Sequence, residues 1–94
     1  MKGHKMIEQD FVNLGLLGKK CDTKGHPVSA FELTEPFIDD HQRALVSKGY
    51  ILIRKEDFTG GEIAYLFLSP PKSGTRSFSV SNMGDGVWTL SIPR

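Results

Sequence analysis

Six consecutive apolar residues, Ile63-Ala64-Tyr65-Leu66-Phe67-Leu68, lie between Gly60-Gly61 and Pro70-Pro71. A run this short, bounded so closely by turn residues, reads as a strand over residues 62–69 rather than as a helix. Successive side chains of a strand point to opposite faces, so this one carries apolar groups on both. Such strands are normally central in a sheet and covered on both sides. One layer of helix covers only one side, so the fold needs a second source of cover: the N-terminal third, a curl of the sheet, or a second chain.

Three further strand-like runs accompany it, at residues 50–55 (YILIRK), 76–81 (RSFSVS) and 87–92 (VWTLSI). Thr59-Gly60-Gly61, the two prolines and Asn82-Met83-Gly84-Asp85-Gly86 separate the runs, which suits a meander of antiparallel hairpins. In the last two runs Phe78 and Val80 share one face, as do Trp88, Leu90 and Ile92. Ser77, Ser79, Ser81, Thr89 and Ser91 point the other way, toward water. Upstream, residues 34–49 read as one helix with Thr34 as N-cap, Glu35 and Pro36 in its first turn, and Asp39 and Asp40 near its positive end. Gly49 supplies a left-handed residue after the last turn, and Phe37, Ile38, His41, Ala44 and Leu45 form its apolar stripe.

Residues 11–17 and 28–33 flank a turn-rich stretch, Asp22-Thr23-Lys24-Gly25-His26-Pro27, and read as a hairpin; residues 6–14 can alternatively begin as a short helix. The predicted fold is therefore α+β, a single helix packed on a mostly antiparallel sheet in the order ββαββββ. Its first five elements share the order of a β-grasp unit, an order that identifies no family by itself.

Ninety-four residues suit one domain spanning 1–94, with residues 1–8 as a flexible N-terminal segment. Nine aromatic residues (six Phe, two Tyr, one Trp) supply large burial contributions and argue against disorder. A net charge of +1 gives little steering toward a polyanion. The single cysteine, Cys21, allows no internal disulfide and favours a reducing compartment. No apolar h-region follows the N-terminal lysines and no stretch approaches a membrane span, so a soluble cytoplasmic chain without a membrane partner is expected.

Candidate chemistry is sparse. Cys21 follows Lys19-Lys20, whose ammonium groups would favour a thiolate, and His26 could act as its base with Asp22 as the nearby carboxylate. The histidines at 4, 26 and 41 form no two-ligand motif, so no metal is expected, and no cofactor signature is present. His41 reads as packed at the edge of the core. Lys72-Ser73-Gly74-Thr75-Arg76 is a loop with two cations, two hydroxyls and a glycine, which makes Lys72, Ser73, Thr75 and Arg76 the anion-binding candidates. Its order is not that of a Walker loop, and a strand follows rather than a helix. Tyr65 and Phe67 share one face of their strand, as bases require of a stacking platform. With Lys72 and Arg76 they are the partner-binding candidates, although core packing accounts for the two rings as well.

Ala44-Leu45-Val46-Ser47-Lys48-Gly49-Tyr50-Ile51, running into the Gly-Gly turn, resembles the recognition helix and wing of a winged-helix repressor. The resemblance covers residues 37–69 and implies a nucleic-acid-binding domain. Two departures stand beside it: residues 11–33 are too interrupted by Gly and Pro to supply the two upstream helices, and the helix presents Asp39 and Asp40 against Arg43, which would repel phosphates.

The function expected from the sequence is a small non-catalytic protein-interaction or regulatory domain, of the inhibitor, immunity, adaptor or accessory-subunit type, acting through a sheet face or edge. Its partner is another protein or a second copy of itself. A nucleic-acid binder is the alternative, and a small enzyme using Cys21 the third reading.

Overall fold

The computed structural model describes residues 5–94. In chain order the elements are α1 (Lys5–Asn13), β1 (Leu17–Cys21), β2 (Val28–Leu33), α2 (Asp39–Ser47), β3 (Ile51–Asp57), β4 (Ile63–Leu68), β5 (Ser77–Asn82) and β6 (Trp88–Pro93), with a 3-10 turn at Pro71–Ser73. The six strands form one sheet in the order β1-β2-β6-β5-β4-β3, and every neighbouring pair is antiparallel. The fold is thus α+β, with two helices among the described residues and the order αββαββββ, where the sequence suggested one helix and ββαββββ.

The extra helix is the short helix that residues 6–14 offered as the alternative, and it takes residues 11–13 from the run read as the first strand. Ile7, Asp10 and Phe11, spaced three and four apart, form one buried stripe. Leu14 and Gly15 donate their N–H groups back to the carbonyls of Asp10 and Val12 and end the helix. Only then does the first hairpin begin, so β1 starts at Leu17, the last residue of the run read as a strand. Of the segment expected to be flexible, residues 1–4 lie outside the described residues, and residues 5–8 are the start of α1.

Helix α2 begins at Asp39, five residues later than expected. Thr34 does not cap it. Its hydroxyl donates to the Gly15 carbonyl at 2.7 Å and its N–H to the Leu16 carbonyl at 2.8 Å, tying the end of β2 to the α1–β1 turn. Ile38 takes the N-cap position instead, and its N–H donates to His41 Nδ1 at 3.0 Å. His41 thereby plays the part that Glu or Gln plays in a capping box, and its ring lies 5.7 Å from that of Phe37 at the edge of the core.

The other end of α2 follows the sequence closely. Gly49 has φ +102°, its N–H donates to the Val46 carbonyl, and the Tyr50 N–H reaches the Leu45 carbonyl. This is a Schellman ending, with buried Leu45 and Tyr50 making its usual apolar pair. An alanine at position 49 would have to hold a left-handed conformation and would set its Cβ 3.4 Å from Pro70. Gly49→Ala is expected to lower unfolding free energy by about 1–2 kcal/mol in a denaturant titration.

Both helices cover the same face of the sheet. The strand register places Phe31, Leu90, Val80 and Tyr65 in one row, with Ser29 and Ile92 in line with Phe78 and Phe67 in the next. All of these except the buried Ser29 join Ile7, Phe11, Phe37 and Leu45 in a single core. Its aromatic members interlock: Phe67 stacks on Phe78 at 5.1 Å, while Phe11 and Tyr50 meet Phe78 edge-on at 5.7 and 5.4 Å. Among the described residues, no helix is long and apolar enough to cross a membrane.

Candidate functional site: the uncovered sheet face

The strands alternate, so the residues between the core positions form the opposite face. One row across it runs Cys21, Ala30, Ser91, Ser79, Leu66 and Arg54. A neighbouring row runs Glu32, Thr89, Ser81, Ala64 and Glu56. On the other side lie Val28 beside Pro93, and Ser77 beside Leu68 and Ile51. No described element lies across this face. Among the described residues, neither the N-terminal third nor a curl of the sheet supplies the second cover that β4 was expected to need: α1 joins α2 on the core side, and the β1–β2 hairpin extends the sheet instead of folding over it.

The face has two unlike halves. On β2, β6 and β5 it is built of small side chains, mainly Ser, Thr and Ala. On β4 and β3 it carries Leu66, Leu68 and Ile51, the last 57% exposed. Leu66 and Leu68 remain only half-buried.

Both sheet edges resist extension by another strand. In β1 the pairing shifts between Leu17 and Lys20, so Gly18 and Lys19 together oppose Glu32. In β3 it shifts between Leu52 and Arg54, so Ile53 and Arg54 together oppose Leu66. Each is a bulge on an edge strand beside charged side chains, a combination that obstructs edge-to-edge pairing. Lys55, on the core side of β3, folds over the Tyr65 ring with its Nζ 5.4 Å from the ring centre.

The sequence-predicted site residues fall elsewhere. Tyr65 and Phe67 are 3% and 0% exposed, packed with Phe37 and the rest of the core, and present no surface to a partner. The residues of β4 that do face outward are their neighbours Ala64, Leu66 and Leu68. Lys72 and Arg76 are exposed, but Ser73 between them is 2% exposed. The Ser73 hydroxyl donates to the Thr75 carbonyl at 2.8 Å and accepts the Thr75 N–H at 3.1 Å, so it is committed to shaping the loop.

Cys21 is half-buried and paired with Ala30. Asp22 Oδ1 accepts the Lys24 N–H at 2.9 Å, which ties that carboxylate to the turn. The His26 carbonyl is held by Thr23 and by the Arg94 guanidinium. A shallow hollow of about 370 Å³, floored by Val28 and Ala30 and rimmed by this turn, opens at the corner of the uncovered face. Among the described residues, no three His, Cys, Asp or Glu side chains are grouped to hold a metal ion.

One buried polar cluster had no warning in the sequence. Asp10, 8% exposed, accepts a 2.6 Å hydrogen bond from the Tyr50 hydroxyl, and Lys48 Nζ lies 3.5 Å from its other oxygen. The partners are 40 residues apart and meet only through packing of α1 against the end of α2. Burial first, then the hydrogen bond to Asp10 and its negative charge, raise the Tyr50 phenol well above its ordinary range. Comparison with known protein families, with characterised proteins and with solved structures finds no match to this chain.

Proposed function

We propose that this chain is a small non-catalytic binding domain whose docking surface is the uncovered face of its sheet. The observation that carries the reading is the outward set on β4 and β3, Leu66, Leu68 and Ile51, on a face that no described element covers. Half-buried and exposed aliphatic groups beside a flat Ser/Thr field resemble an interface with an apolar part and a polar surround. The bulged, charged edges favour the face over strand addition as the mode of docking.

A photoreactive benzophenone side chain placed in turn at Ser79 and at Gln42 tests this in cells. Ser79 lies in the middle of the face, while Gln42 lies on α2, on the opposite side of the molecule. Protein adducts from position 79 and not from position 42 are the expected result. Adducts confined to position 42, or none at either position, would overturn the reading.

A further inference from the structure

We infer that the occupant of the uncovered face is a second copy of this chain, packed face to face about a two-fold axis running along the strands between β5 and β6. The inference rests on the reading of that face as a docking surface. Its first support is shape. The axis lays β4 of one copy over β2 of the other, β5 over β6, and β3 over β1. Leu66 and Leu68 of one copy then meet Ala30 and Val28 of the other, and serine meets serine at the centre. A two-fold running across the strands would stack leucine on leucine and leave the serine half facing serine throughout, with a gap between.

The second support is charge. Lys19 and Glu32 stand at the β1–β2 side of the face, and Arg54 and Glu56 at the β3 side, where within one chain they approach only to 3.9 Å. The same axis brings Lys19 of each copy toward Glu56 of the other and lays Arg54 over Cys21. An isologous contact makes every such pairing twice. The third is size. Six strands at ordinary spacing give a footprint of roughly 400 Å² in projection. With side-chain relief counted on both copies, the area reaches about 1,000 Å², the lower limit of specific interfaces. A reversible dimer of micromolar affinity is the expected strength.

Sedimentation velocity on the full chain across the micromolar range tests the inference, with Ser79→Arg, Lys19→Glu and Glu56→Lys as variants. The wild-type chain should pass from monomer to dimer. Ser79→Arg puts two charges at the axis and should weaken association at least about tenfold without altering the melting profile. Lys19→Glu and Glu56→Lys should each weaken it by about threefold, and an equal mixture of the two should recover wild-type affinity, because both cross-pairs are then restored. If Ser79→Arg fails to fold, the mixture decides alone.

A wild-type monomer throughout the range, or a dimer indifferent to these variants, would overturn the inference. A monomer whose position 79 still gives adducts with a different protein overturns the second copy and leaves the docking face standing. A monomer with no adducts at position 79 removes both.

Discussion

Replacing Phe37 by alanine is expected to lower unfolding free energy by about 3–5 kcal/mol. The side chain is 3% exposed, and its ring centre lies 5.0 Å from that of Tyr65, 6.1 Å from Phe67, and 6.3 Å from both Phe11 and Trp88. It belongs to neither helix nor strand. It is carried on the link between β2 and α2 and wedges between α1 and the sheet, so no neighbouring side chain on a regular element can slide across to fill its place. The cost thus combines lost apolar transfer with a cavity that relaxes poorly. A chain of this length has a total stability on the order of 5–14 kcal/mol, so the change removes a large fraction of it. A fall in Tm of about 12 °C or more should follow. Phe58→Ala is the control, since that ring is 51% exposed and its loss should stay within about 0.5 kcal/mol. A Phe37→Ala loss below about 1 kcal/mol would show that Phe37 is not the wedge between these layers.

Phe37 also shows where sequence reasoning succeeded and where it stopped. Its apolar character and its approach to Leu45 were visible, but the helix was read as starting three residues before it. Thr34 and Pro36 match the local preferences of a helix start, and the preference was overridden by a bond that the sequence cannot display, from the Thr34 hydroxyl to Gly15, 19 residues away. The start of the chain is ambiguous for a related reason: a strand over residues 11–17 competes with a short helix over residues 6–14, and the structure has the helix, at Lys5–Asn13. Residues 6–14 carry a weak helical period of only two turns, and the buried pair Asp10–Tyr50 that anchors α1 is a contact across 40 residues. By contrast, β3 to β6 appeared within two residues of their predicted bounds, because Gly and Pro mark their turns and period-two alternation marks their faces.

The candidate site was half legible. That Ile63–Leu68 is apolar on both sides was plain, and so was the Ser/Thr face of β5 and β6. What the alternation could not decide is which set faces the core. Tyr65 and Phe67 drew attention as rings on a shared face, yet large rings are what a core buries first. The smaller Ala64, Leu66 and Leu68 are thereby left to the outside. Nor could the sequence reveal that the N-terminal hairpin would lengthen the sheet instead of roofing it. That choice depends on β2 pairing with β6, strands separated by most of the chain.

Alkaline pH is expected to destabilise this chain through Tyr50. The phenol is 1% exposed and donates a hydrogen bond to the Asp10 carboxylate. Its folded-state pKa is raised above the unfolded value near 10, chiefly by burial and then by the hydrogen bond and charge of Asp10. A raised pKa means that the folded chain keeps a proton the unfolded chain has released. The stability tied to that proton is therefore fully present below about pH 10 and declines as pH rises beyond it, by up to about 1.4 kcal/mol per pH unit. Lysine and arginine also lose favourable interactions at high pH, so the contribution is isolated by comparison with Tyr50→Phe. That variant lacks the donor and leaves a buried carboxylate whose other partner, the Lys48 ammonium, is 3.5 Å away. It should cost about 1–3 kcal/mol at neutral pH. The cost should shrink steadily above pH 10 as the wild-type chain loses its advantage, and urea titrations of both proteins at several pH values would trace the two curves converging. Curves that stay parallel into the alkaline range would mean that the Tyr50 proton is no more tightly held in the folded chain than in the unfolded one.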